Sequence, residues 1–304
     1  MMRWTLALWR IEGPVLSAAW PDHKMVRWLL TILCLVILPV CSRAQQIDFV
    51  QTEKILVDFY ESKLSGPDHR VANDSIAIYD SIFRQRLTNL LAEHPRTLTY
   101  GFPLFTKSYG LTVAGSDDHR FRIYSWDQRS GGSMHTFGHI YQFASAGQVY
   151  VWPAKDEFRD PGVSYGKVAT VTSAGNTYYL AIGQGIYSSA ITGQRFKVFA
   201  IENGSLNDTV RLIQTKDGHL ENQIDVHINL FLHYPGSDTA DTYGEVIQFM
   251  EYDPKEMTLA VPIVDHRKDS VTTESTIYQF DGKYFTYITT RNNKDEAKVK
   301  LPLH

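Results

Sequence analysis

SDDHRFRIYSWDQRSGGSMHTFGHIYQF, Ser116 to Phe143, is the stretch that decides the fold. Ser116-Asp117-Asp118 is a turn signal, because short Ser and Asp side chains bond nearby backbone N–H groups. From Phe121 the side chains alternate, Phe121, Ile123 and Ser125 against Arg122, Tyr124 and Trp126. Large groups on both faces predict a strand buried on at least part of both faces. Asp127 to Gly132 interrupts it, and Gly131-Gly132 can supply the positive φ of a tight reversal. A second strand is predicted from Met134 to Phe143. One face carries Met134, Thr136, Gly138, Ile140 and Gln142, and the other carries His135, Phe137, His139, Tyr141 and Phe143. The simplest product is an antiparallel hairpin.

The same residues carry a resemblance. RIYSWD, the Gly-Gly-Ser-Met-His that follows and Tyr141-Gln142-Phe143 are similar to a motif of uncharacterised secreted proteins of the Bacteroidota. So are Tyr178-Tyr179-Leu180 and the run from Tyr278 to Phe285. The resemblance covers the mature chain loosely and implies no activity, cofactor or catalytic residue. RIYSWD also resembles the Trp-Asp strand end of WD-repeat propellers, but the Gly-His that opens such repeats is missing at the expected spacing.

Outward from this centre, two helices are expected first. Phe49, Val50, Leu56, Phe59, Tyr60 and Leu64 recur at helical spacing up to Gly66-Pro67. Ile76, Tyr79, Phe83, Leu87, Leu90 and Leu91 do so up to Pro95, which cannot continue a helix. Residues 45–96 therefore form a helical hairpin that caps the β part or, as an alternative, binds a partner. From 97 to 291 the pattern is strands and turns. Strands are expected at Gly110–Ala114, Arg120–Trp126, Met134–Phe143, Gln148–Trp152, Lys167–Ser173, Thr177–Ile182 and Phe196–Glu202. Others follow at Val210–Gln214, Ile224–His233, Glu245–Asp253, Thr258–Val264, Glu274–Phe280 and Tyr284–Thr290. Explicit turns separate them, among them Ala174-Gly175-Asn176, Asn203-Gly204 and Asp281-Gly282. No helix falls between strands, so parallel βαβ units are not expected. The fold class is α+β, mainly β, with an antiparallel meander forming a sandwich or barrel-like sheet. The lack of a repeat of ~40 residues counts against a small propeller. Ala181 to Ser189, AIGQGIYSS, lacks the context of a phosphate or dinucleotide loop and is expected to be a bend. Residues 292–304 form a polar, Lys-rich tail.

The N-terminus points to export. Trp28 to Val40 is apolar, follows Lys24 and Arg27, and leads to Ser42-Arg43-Ala44. It is shorter than the ~20 residues of a membrane span. This pattern predicts a signal peptide cleaved between Ala44 and Gln45, with the protein in the periplasm or outside the cell. Residues 1–24 fit poorly ahead of such a segment, so the true start is expected at Met25. A membrane anchor is one alternative. Lipidation of Cys41 is another, against which Val40 stands where a lipobox wants Gly, Ala or Ser. Cys34 and Cys41 are the two cysteines, and both precede Ala44. The chain beyond has no disulfide, thiol nucleophile or Cys metal site. With Lys+Arg 30 against Asp+Glu 33 there is no basic excess to suggest nucleic acid.

Candidate chemistry is sparse. His135 and His139 are four apart, which on a strand puts both on one face, and Asp127 across the hairpin could complete a zinc site. The more ordinary expectation is packing beside Phe137 and Tyr141. His227 and His233 share a face in the same way but belong to a half-buried strand. Neither a Gly-x-Ser-x-Gly elbow nor a zincin helix is present. No cofactor is implied. Tyr and Trp are abundant enough to line a carbohydrate groove. Two functions remain open: a non-enzymatic envelope protein binding a glycan or another envelope component, and a secreted hydrolase using His135, His139 and Asp127, with or without zinc.

Overall fold

The computed structural model describes residues 47–64, 73–130, 132–154, 160–229, 250–265 and 270–292. The signal segment, Gly66-Pro67, Gly131, His233 and the tail after Asn292 lie outside them. Two helices come first, α1 (Phe49–Lys63) and α2 (Asn73–Glu93), then two short 3₁₀ turns at Pro95–Leu98 and Phe105–Lys107. No described helix is long and apolar enough to cross a membrane.

Fifteen strands follow in the described residues, in three sheets. The first is an antiparallel meander of β1 (Leu111–Gly115), β2 (Phe121–Asp127), β3 (Phe137–Ser145) and β4 (Gln148–Pro153). The second contains β5 (Ser164–Ser173), β6 (Asn176–Ile186), β7 (Ile191–Glu202), β8 (Ser205–Asn207) and β11 (Gln223–Asn229), in the order β11-β7-β6-β5 with β8 on β7. The third runs β10 (Leu220–Glu221), β9 (Ile213–Gln214), β15 (Phe285–Asn292), β14 (Ser270–Phe280), β13 (Thr258–Asp265) and β12 (Glu251–Asp253). The fold is thus mainly β with two leading helices, as expected. Among the described strands all pairings are antiparallel except β15 with β9, a short parallel pair that turn spacing does not reveal.

The expected antiparallel hairpin forms, paired from Phe121↔Phe143 to Asp127↔Phe137, and its second strand starts at Phe137, not at Met134. Every residue of β2 is buried. Its two faces look at different layers. Phe121, Ile123, Tyr141 and Phe143 share a core with Tyr165, Val168, Tyr179, Ala181 and Phe199 of the second sheet. Arg122, Tyr124, Trp126 and Gln142 face the helical side. There the Trp126 ring meets Phe83 of α2 at 5.5 Å, and its Nε1 donates to Asp80 Oδ1 at 2.6 Å. Gln142 is fully buried, and its Nε2 donates to Leu91 O at 3.1 Å, satisfying a carbonyl at the end of α2. Its Oε1 lies 2.9 Å from the Tyr124 hydroxyl. Buried Glu53 of α1 accepts the Leu104 and Phe105 N–H groups at 2.7 and 2.9 Å and the Tyr100 hydroxyl at 2.8 Å. A buried carboxylate is tolerable only with such partners.

The second sheet is also covered on both faces. Leu180, Phe196 and Val198 pack toward the third sheet with Tyr252, Leu259, Tyr278 and Phe285, while Tyr179, Ala181 and Phe199 face the first. The hairpins β3–β4, β5–β6 and β7–β8 turn at Ala146-Gly147, Ala174-Gly175 and Asn203-Gly204, each with φ near +50° and then +80°. Positive φ at both central residues matches the twist of the strands. The β2–β3 turn differs from expectation: Gly132 does not take positive φ there, and Arg129 does (φ 56°), its N–H held by Asp127 Oδ1 at 2.9 Å. The Ala181–Ser189 stretch, expected as a bend, is strand through Ile186. Its glycines supply space: a Cβ on Gly183 would lie 2.5 Å from Val163 Cγ2.

Candidate functional site

Alternation along β7 builds one wall of the site. Gln194, Phe196 and Val198 point to the third sheet, so Gly193, Arg195, Lys197 and Phe199 share the opposite face. Phe199 sits in the core with the first sheet. Toward the start of β7 the same face carries charge instead. On β3 the equivalent face runs Phe143, Tyr141, His139, Phe137. Where apolar cover gives out, a cleft of about 310 Å³ opens, lined by Phe137, His139, Tyr141, Trp152, Asp160 and Gly162 together with Tyr165, Arg195, Lys197 and Asp208.

The charges in this cleft are paired. Arg195 donates to Asp160 Oδ2 at 2.8 Å and to Asp225 Oδ1 at 2.6 Å. Lys197 donates to Asp208 Oδ2 at 3.1 Å. Burial acts to raise the Asp160 pKa, but the Arg195 hydrogen bond, the Gly162 N–H and the guanidinium charge outweigh it and hold the carboxyl below its usual range. Partial burial works against the Arg195 cation, and its carboxylate partners more than restore it, so the guanidinium stays charged. The aromatic part comes from the first sheet. Tyr141 pairs with Trp152 across β3–β4, the rings 6.2 Å apart, and Trp152 is 38% exposed.

His139 faces this cleft from β3. Its Nε2 donates to Val163 O at 2.6 Å, and its ring packs on Tyr141 and Tyr165. Burial pushes its pKa down to about 4, so the imidazole is neutral at physiological pH. The strap Asp160-Pro161-Gly162-Val163 is tied to β3 at two points, this bond and Phe137 N–H to Pro161 O at 2.8 Å. Gly162 is required for the close approach: its φ is +73°, and a Cβ there would lie 3.0 Å from His139 Cε1.

His135 and Asp127 come together elsewhere. His135 precedes β3, and its Nδ1 donates to Asp127 Oδ2 at 2.6 Å. Asp127 is 2% exposed and also meets Arg129 Nε at 3.3 Å, while the Arg129 guanidinium lies over the exposed Tyr109 ring. His139 is engaged with Val163 and makes no bond to this pair. Among the described residues no group of three or more His, Cys, Asp or Glu side chains is placed to hold a metal ion. His227, on β11, packs against Tyr187 with ring centroids 4.5 Å apart and the planes tilted by 54°.

Arg195, Lys197, Asp160, Asp208 and Trp152 were not singled out by sequence reasoning. Charged residues at 195 and 197 alternating with Phe196 and Val198 are a trace of them, but that pattern also describes an ordinary solvated strand face. No protein-family model matches the chain, and no curated protein matches it significantly.

Proposed function

We propose that the protein is an exported, non-enzymatic binding module of the cell envelope, and that its ligand is a glycan held in the cleft between the first and second sheets. One observation carries this: an exposed Trp152 backed by Tyr141 lies in the same cleft as two cations already neutralised by Asp160, Asp225 and Asp208. Aromatic faces cover the apolar C–H faces of sugar rings. Ion-paired carboxylates and guanidinium present fixed acceptors and donors, which suit hydroxyl groups that both donate and accept. A free anion would have to compete with the carboxylates for Arg195 and Lys197, so an uncharged ligand fits better. The signal-like segment before Gln45 supports export.

The test uses the chain's own fluorescence. After residue 44, tryptophan occurs at 126 and 152. Trp126 is fully buried, so saccharide-induced change or protection from acrylamide quenching reports on Trp152. Saturable binding of a neutral oligosaccharide, lost in Trp152→Ala, is the expected result. Binding that survives Trp152→Ala unchanged would refute the site.

A secreted hydrolase is the second reading, favoured by the 2.6 Å bond between buried Asp127 and the partly exposed His135 imidazole, an arrangement that fixes the ring orientation with the proton on Nδ1. Turnover of an ester or glycoside substrate that disappears in His135→Gln would establish it over the first.

A further inference from the structure

The cleft does not end at Arg195. β11 lies beside β7 in a register that pairs Asp225 with Arg195 and His227 with Gly193. Directly opposed residues of paired strands present their side chains on the same face, so the Arg195 face continues onto Asp225 and His227. Gly193 has no side chain, and Tyr187 fills the space above it: a Cβ on Gly193 would lie 2.1 Å from Tyr187 Cε2. A Cβ on the neighbouring Gly185 would lie 3.2 Å from both Tyr187 Cε2 and Gly162 O of the cleft strap. Tyr187 is half-buried, and its ring packs at a tilt against exposed His227. Three glycines (Gly162, Gly185 and Gly193) thus keep a low floor between the strap and a second aromatic pair.

We infer that the binding face is a row of subsites that takes an oligosaccharide chain, with Trp152 and Tyr141 under one end, the Arg195–Asp160–Asp225 node in the middle, and Tyr187 with His227 under the other end. This inference rests on the glycan reading of the cleft. The spacing supports a chain over a single sugar. Gly193 lies four positions before Lys197, about 13 Å along an extended strand. That exceeds one pyranose ring. The alternation of aromatic platform, fixed hydrogen-bonding node and aromatic platform repeats the amphipathic character of successive sugar units. A compact polar ligand would fill the cleft and have no use for the outer pair.

The experiment titrates the full chain with cello-, malto- and chito-oligosaccharide ladders from the monosaccharide to the hexasaccharide, by calorimetry. The expected result is an affinity that rises at least tenfold with chain length in one ladder and then levels off. Tyr187→Ala and, separately, His227→Ala should remove that gain while leaving the affinity for the shortest bound saccharide unchanged. Trp152→Ala should weaken every length. An affinity independent of length, or a gain that persists in both outer variants, overturns the inference and leaves the cleft reading standing. Absence of binding by every saccharide in all three ladders overturns the cleft reading itself. His227 is exposed, so its variant tests the outer subsite even if Tyr187→Ala disturbs the packing on Gly193.

Discussion

Removing the indole of Trp126 should be among the most damaging single changes in this chain. Trp126 has no solvent exposure. It packs on Phe83, lies under the Arg84 guanidinium at 5.3 Å, and fills the space over Gly138, where a Cβ would come within 2.4 Å of the ring. Trp126→Ala leaves a cavity between α2 and the first sheet, which costs about 3–5 kcal/mol. It also removes the Nε1 bond to Asp80. A hydrogen bond to a charged group contributes about 1.5–3 kcal/mol, part of which Asp80 retains through Gln128 Nε2 at 3.2 Å and Arg84 at 3.6 Å. The sum is about 4–6 kcal/mol, against a total stability of about 5–15 kcal/mol. With a urea dependence of about 2–3 kcal/mol/M, the midpoint should fall by about 2 M. Trp126→Phe keeps most of the ring volume and loses the N–H, so it should cost about half as much. Urea unfolding followed by far-UV circular dichroism measures both. An unchanged midpoint for Trp126→Ala would show that the helices do not seal this face and that the central hairpin does not organise the core.

Two further outcomes follow from the histidines. Burial, with smaller help from the Arg195 and Lys197 charges and against the pull of Val163 O and Asp160, holds His139 neutral with its pKa lowered to about 4, whereas the unfolded chain takes up a proton near 6.5. The unfolded state therefore binds the extra proton between these values, so stability is full above pH 6.5 and falls by on the order of 3 kcal/mol as pH drops toward 4. His139→Gln, whose amide can still donate to Val163 O, should flatten that part of the urea midpoint against pH curve; identical curves for the two proteins would contradict the assignment. His135→Ala should cost about 1–3 kcal/mol, because it strips a donor from buried Asp127; a loss under ~0.5 kcal/mol in the same unfolding assay would mean Arg129 alone satisfies that carboxylate.

Much of the fold is legible from local signals because the strands are bounded by residues with particular backbone needs. Ala174-Gly175 and Asn203-Gly204 form the expected turns, and Phe121 to Trp126, apolar on both faces, is buried on both. Strands grew at ends where sequence looked broken. Gly183 and Gly185 suggest a bend locally, yet they lie in β6 because Val163, the Gly162 carbonyl and Tyr187 need the room. Arg129 took a left-handed conformation that glycine would be expected to fill, because the Asp127 side chain holds its N–H. The helical spacing of Leu56, Tyr60, Phe83 and Leu87 located α1 and α2, but nothing local announced that Glu53 would be buried to satisfy Leu104 and Phe105 fifty residues on.

The candidate site was the least legible part, and the reason is geometric. Its residues come from β3, β4, β7 and the strap at Asp160, so no contiguous stretch contains more than two or three of them. His135 and His139 look like partners because even spacing on a strand shares a face, but the strand begins only at Phe137. His135 is thereby freed to turn back to Asp127, while His139 stays in the ladder and points at Val163. The signal that does carry the site is a change of character along one face: Phe199, Lys197, Arg195 and Gly193 on β7, and Phe143, Tyr141, His139 and Phe137 on β3. The β7 row passes from apolar Phe199 to charged Lys197 and Arg195, and the β3 row facing it stays aromatic, interrupted by His139. Two sheets that share a core at one end and charge at the other must part where the apolar cover stops, since half-buried Arg195 and Lys197 are stable only with their carboxylates and with access to water. The cleft is therefore a consequence of the order of side chains on two strand faces, visible once the pairing of the sheets is known.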